Sequence, residues 1–197
     1  GLELEIVKHK QAQKIQDAIY RISQATISTK NMDELYGSIH AILGEMMAVE
    51  NFYIALYDPA TDLISFPYYI DQYDEKPATV EPGRGLTGYV LRTGRPLLAT
   101  PDIFEKLTRQ GEVELVGTLP IDWLGVPLKV EDEIIGAMVA QSYSETERFT
   151  QENVELFEFV SSQVAQTIHR KRADHSLNES NERYYRLFEE SPVSLWE

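Results

Sequence analysis

The sequence predicts an α+β domain: an antiparallel sheet of about five or six strands, helices on both faces, and long helices at the two ends. Three observations lead there. Apolar spacing changes from three-and-four to two near residue 51 and returns to three-and-four near residue 150. The central stretch reads as two hairpins, not as alternating strands and helices. Between the hairpins lies a glycine-rich crossover holding two short helical segments.

The elements follow in order. Residues 2–27 are helical in pattern, with Ile15, Ala18, Ile19, Ile22 and Ala25 on one face. A second helix starts near Asn31, which can cap it, with Glu34 three residues on as in a capping box. It continues through Leu35, Ile39, Ile42, Leu43 and Met46. Phe52, Ile54 and Leu56 then alternate with Tyr53, Ala55 and Tyr57 as a strand. Asp58-Pro59-Ala60-Thr61-Asp62 is a turn, and residues 63–70 return as the hairpin partner. Residues 121–130 and 133–143 form the second hairpin.

The crossover carries Gly83-Arg84-Gly85-Leu86-Thr87-Gly88, then a helix stop in which Gly94 follows Arg92 and Pro96 follows soon after. It continues with a brief strand at 97–99 and a short helix at 102–110. A short glycine-bounded helix beside strands can form a movable pocket wall, or simply a surface helix between turns. From Thr150 the chain is helical for about 40 residues, roughly 60 Å if unbroken. Its seam runs Val154, Phe157, Ser161, Val164, Ile168, then moves by two past His169-Arg170-Lys171-Arg172 to Ala173, Leu177, Ser180, Tyr184 and Leu187. The shift implies that the first half packs on the domain, and the second half on a partner helix or on nothing within this chain.

Composition narrows the function. The chain has 197 residues, 43% hydrophobic, enough for one core. With 18 basic and 32 acidic residues its net charge is −14, which disfavours nucleic acid and anionic membrane surfaces as partners. Cysteine is absent, which removes disulfides, thiolate nucleophiles and thioether-linked chromophores. The longest apolar run, 134–140, is too short to span a bilayer, and no apolar signal segment opens the sequence, so the expected compartment is the cytoplasm. Gly83 to Gly88 spells G-x-G-x-x-G, but no apolar strand precedes it as a dinucleotide site requires. The four histidines, His9, His40, His169 and His175, are scattered on helices without metal-site spacing. His40 is of the residue type that ligates haem iron, with a solvent-facing or helix-contact position the plainer reading. No metal site or catalytic constellation is expected.

Several segments together resemble the GAF domains of bacterial multidomain sensors: 51–58, 65–71, 83–98, 123–128 and 135–143. The resemblance covers residues 30–170 and implies a GAF-like, PAS/profilin-like sheet. Residues 1–29 would then be an N-terminal signalling helix and 171–183 a helical linker. Residues 182–193 resemble the opening of a PAS domain, so 184–197 would begin a second, truncated sensor. The resemblance further implies a homodimer joined through the terminal helices and an output domain of the same chain, a histidine kinase being the usual one. Ile15, Ile19, Ile22, Val164, Ile168 and Leu177 are the candidate dimer and linker positions.

Family members bind small ligands between the sheet and the crossover helices. Here that places Arg84, Thr87 and Tyr89 on one wall, Asp102 and Phe104 near the rim, Trp123 and Gln141 on the sheet side, and Tyr53 and Tyr68 nearby. Aromatics supply contact area, and Arg, Thr and Gln supply direction. Arg84 could hold a carboxylate or phosphate, or pair with one of the many acids. Trp123 reads also as a packing residue. Gln141 interrupts an apolar strand, and a buried amide must find partners, in the backbone or in a ligand. Some GAF domains reduce free methionine sulfoxide, a chemistry that needs cysteines this chain lacks. The Asn-Lys…Phe…Asp-Glu motif of cyclic-nucleotide-binding relatives is not present in that form. The expected ligand is an unidentified small molecule, not a covalent bilin. A ligand-free dimerisation and relay module is the alternative.

Overall fold

A computed structural model describes residues 2–189. Ten elements run in the order α1 (Leu2–Ser28), α2 (Met32–Gly44), β1 (Asn51–Asp58), β2 (Leu63–Ile70), α3 (Leu86–Thr93), β3 (Leu97–Ala99), α4 (Pro101–Arg109), β4 (Asp122–Val130), β5 (Glu133–Ser142) and α5 (Gln151–Glu189). The strands form one antiparallel sheet of five, ordered β2-β1-β5-β4-β3. The predicted α+β architecture is therefore the observed one.

Strand alternation gives the sheet two different faces. One face carries Phe52, Ile54, Leu56, Leu124, Val126, Leu128, Met138 and Ala140, and is covered by α2 and the first half of α5, on which α1 packs. Phe52 and Phe157 meet edge to face there, with ring centroids 6.3 Å apart. The other face carries Tyr53, Ala55, Trp123, Ala137 and Val139, and α3 seats Val90 and Leu91 on it.

Local chemistry sets the boundaries. Asn31 caps α2 by accepting a hydrogen bond from the Glu34 amide at 2.9 Å. The returning Glu34 carboxylate accepts from the Lys30 amide, one residue earlier than the standard box. Gly94 ends α3 in the left-handed conformation, its N–H donating to the Val90 carbonyl.

The two long helices pair with each other inside the chain. Ile22, Val164 and Ile168 are fully buried, with Ile15 packed at the edge of the same core. Lys171 donates to the Thr26 and Thr29 carbonyls at 3.1 and 2.9 Å, where α1 ends. The expectation that Ile22, Val164 and Ile168 face a second subunit is thus corrected: their apolar area is already used within this chain. Ile19 is half-buried, and Leu177 is exposed, as is α5 from residue 172 to residue 186. The predicted change of role along α5 therefore falls where the seam shifts. Residues 190–197, most of the expected PAS opening, lie outside the described residues.

Candidate ligand-binding site

A cavity of about 510 Å³ opens on the face of the sheet that carries α3. Its floor is built by Tyr53 of β1, Ile64, Phe66 and Tyr69 of β2, Trp123 of β4 and Gln141 of β5. Two loop segments, within residues 74–85 and 114–120, form the walls, and Leu86, Thr87 and Gly88 of α3 and Phe104 of α4 close it.

The floor is wired to the roof. The Trp123 indole Nε1 donates to the Tyr53 hydroxyl at 3.2 Å, and that hydroxyl lies 2.9 Å from the Thr87 hydroxyl. Burial pushes the Tyr53 phenol up to about 12, with the bonds to Thr87 and Trp123 opposing. Trp123 can lie flat because residue 125 is glycine: a Cβ there would sit 2.1 Å from the indole. Gly88 permits a second close approach, since a Cβ would meet the Pro82 carbonyl oxygen at 2.0 Å. The rim is stitched by side chains. Arg92 donates to the Gly83 and Glu112 carbonyls at 2.6 and 3.1 Å. Asp74 accepts from the Thr118 amide and hydroxyl, both at 2.8 Å, tying the two wall segments together.

At one end of the cavity, Gln141 is 8% exposed and donates its Nε2 to Asp71 at 2.8 Å. Asp71 also accepts from the Tyr143 hydroxyl and from the Tyr73 and Asp74 amides. Burial and the Asp71 charge hold the Tyr69 and Tyr143 phenols well above their ordinary values.

Of the residues expected at the site, Tyr53, Arg84, Thr87, Phe104, Trp123 and Gln141 line this cavity together. Three do not. Tyr68 lies on the opposite face, where its hydroxyl donates to His40 Nδ1 at 2.9 Å and packs with Phe52 and Tyr36. The cause is a β-bulge: Ile54 pairs with Tyr68 but Leu56 pairs with Ser65, so the alternation slips around Pro67. That slip brings Phe66 and Tyr69, three apart in sequence, onto the cavity face. Tyr89 and Asp102 fail for a helical reason. Two residues on a helix differ by about 200°, so Thr87 and Phe104 turn inward while Tyr89 and Asp102 turn away. Asp102 is exposed.

Arg84 is at the rim, with its guanidinium donating to the Gly111 carbonyl and not to a carboxylate. The wall residues Asp74, Glu81, Glu114, Leu115, Val116 and Leu119 escaped sequence reasoning because loop segments carry no periodicity. His40 contacts the sheet and the loop before it: its Nε2–H donates to the Val49 carbonyl, leaving Nδ1 to accept from Tyr68, and its ring stacks on Phe52. Among the described residues, no group of three or more His, Cys, Asp or Glu is placed to hold a metal ion, and no helix is long and apolar enough to cross a membrane.

A five-stranded antiparallel sheet, helix-packed on one face and roofed over a cavity on the other, defines the class of α+β domains used for small-molecule sensing and regulation. The chain belongs to the GAF-domain family, whose profile matches residues 29–169. A GAF domain of a phosphoenolpyruvate-protein phosphotransferase from Coxiella burnetii superposes with a TM-score of 0.66 at 17% identity, over 84% of this chain and 98% of that one. Free methionine-R-sulfoxide reductase from Neisseria meningitidis gives 0.63 at 15%, over 84% and 93%. The second GAF domain of DevS from Mycobacterium smegmatis gives 0.54 at 16%, over 70% and 93%. At these identities the likeness is one of fold. No curated protein matches the chain.

Proposed function

We propose that this GAF domain is a cytoplasmic, non-catalytic sensor that binds a small molecule between the sheet and the α3–α4 crossover and relays its occupancy through α1 and α5. The observation that carries this reading is the cavity, aromatic on its floor and joined to its roof by the Trp123–Tyr53–Thr87 hydrogen bonds. A ligand touching both floor and roof binds the closed arrangement better, and only such differential affinity can shift the conformation. The receiver of the signal is a PAS domain opening within residues 184–197, reached through the linker at 171–183, followed by a histidine kinase output. The exposed second half of α5 suits that linker role.

Thermal denaturation against a metabolite panel, together with native mass spectrometry of freshly purified protein, tests the reading. A ligand at 100 times its Kd adds about 2.7 kcal/mol of stability. A retained small molecule, or a saturable thermal shift abolished by Trp123→Ala, supports the proposal. Protein that carries no added mass and responds to nothing in the panel contradicts it.

A second reading, a ligand-free dimerisation and relay module, is favoured by one observation. Ile6, Val7, Tyr20 and Ile27 of α1 and Phe159 of α5 are all more than half exposed. With Ile22, Val164 and Ile168 buried inside the chain, a homodimer would use these residues. Light scattering that finds a monomer at every concentration rejects this version.

A further inference from the structure

We propose that the cavity selects an organic cation: a protonated amine or guanidine carried on an apolar body. The inference rests on the binding role proposed above and assigns its ligand class.

Three independent features of the lining point the same way. The first is the balance of charge. Asp74, Glu75, Glu81 and Glu114 line the cavity, whereas Arg84 is the one basic side chain among the described lining residues. Arg84 is already donating to the Gly111 carbonyl at the rim. The side chains of Glu75, Glu81 and Glu114 form no hydrogen bond or ion pair with any described residue. An entering anion would meet this field without a dedicated cationic partner, while a cation is drawn in by it.

The second feature is the buried amide. Asp71 is a pure acceptor, so Gln141 must turn its NH2 toward it, and the amide orientation is fixed. Gln141 Oε1 then accepts no hydrogen bond from any described residue, although the residue is more than nine-tenths buried and lines the cavity. Among the described residues no buried side-chain oxygen lacks a partner, so this Oε1 keeps its exposure on the open side of the amide, where an entering N–H or O–H donor can reach it. Asp71 stands directly behind the amide, and its charge, with that of Asp74, also raises the Tyr69 phenol. The potential at this end of the cavity is therefore negative.

The third feature is aromatic. Tyr53 and Tyr69 stack at 5.1 Å, with Phe66 edge-on to them at 5.9 and 6.1 Å, and Trp123 is bonded to the same Tyr53. Ring faces attract an ammonium or guanidinium and do not attract a carboxylate. Val80, Leu115, Val116 and Leu119 supply an exposed apolar lip for the rest of the molecule. Neither role the sequence left open for Arg84, holding a carboxylate or phosphate or pairing with an acid, is needed here, since it donates to the Gly111 carbonyl.

The test uses three probes of one shape: 2-phenylethylammonium, 2-phenylethanol and phenylacetate, titrated calorimetrically into the intact chain at low salt. The ammonium ion is expected to bind about tenfold more tightly than the alcohol, with no saturable binding of the carboxylate. The preference should shrink as salt screens the rim. The double variant E81Q/E114Q keeps the fold, because neither side chain has a described partner, and weakens ammonium binding about three- to fivefold while leaving the alcohol unchanged. Equal affinity for ammonium and alcohol, or a preference for phenylacetate, overturns the charge assignment and leaves the cavity a binding site. Failure of all three probes to saturate overturns the cation assignment alone, and the binding role then stands or falls with the metabolite panel and native mass spectrometry.

Discussion

The two faces of one sheet have been put to different uses. Under α2 and α5, backed by α1, the face is filled: Phe52, Ile54, Leu124, Leu128 and Met138 are fully buried against Phe157, Val160 and Val164. On the other face α3 contributes Val90 and Leu91, with Leu86 packed beside them, to a smaller core, and next to it the sheet looks into about 510 Å³ of open space. The same strands supply both, by alternation, so the structure gets rigidity from one set of residues and a site from the next. A site that keeps aromatic side chains in place without packing over them depends on a stiff support behind it, and the filled face is that support.

This contrast can be broken from either side. The largest effect is expected from Phe157→Ala, which empties the filled face and should cost about 3–5 kcal/mol in denaturant unfolding. It should leave the hydrogen bonds of the cavity intact in whatever fraction stays folded. Gly88→Ala comes next. Its Cβ would have to displace the Pro82 carbonyl, so α3 must lift, with a loss of about 1–3 kcal/mol and a disproportionate loss of ligand binding. If that variant binds ligand normally, α3 is not the roof of a working site.

Tyr53→Phe should be milder, about 1–2 kcal/mol, because it removes one hydroxyl and leaves the Trp123 N–H without its acceptor. Trp123 fluorescence should shift with it. The smallest effect is a pH dependence. Tyr53 and Tyr36 are both raised by burial from 10.0 to about 12 in the folded chain. A raised phenol means that the folded state holds the proton more tightly than the unfolded one. The associated stability is complete below about 10 and is lost as pH rises from there through about 12. Alkaline titration of unfolding should show that decline, and Tyr53→Phe should blunt it.

Much of this division was legible in the sequence. The period change near residue 51, the Asn31 cap and the Gly94 stop located the elements, and family resemblance brought Tyr53, Thr87, Trp123 and Gln141 to one place. What misled was phase. Simple alternation from Phe66 puts Tyr68 on the cavity side, and only the bulge around Pro67 sends it to His40 instead. On α3 and α4, listing neighbours two apart as a single wall ignored the helical turn, which separates Thr87 from Tyr89 and Phe104 from Asp102. The α1 and α5 seams were read correctly as apolar stripes, but a stripe does not say whose stripe it meets. Here Ile22 and Ile168 bury in the same chain's core. The acidic wall at 74–81 and 114 has no pattern at all; it becomes visible only when the Ile64–Val80 bridge and the Asp74–Thr118 bonds bring the loops over the sheet.

Native-state hydrogen exchange measures the contrast most directly. The account predicts that amides of β1, β5 and the first half of α5 exchange only through global unfolding. Amides of α3 and of residues 111–120 should open at much lower free energy and slow selectively when the cavity is filled. Equal protection on both sides of the sheet, with no selective response at α3, would contradict it.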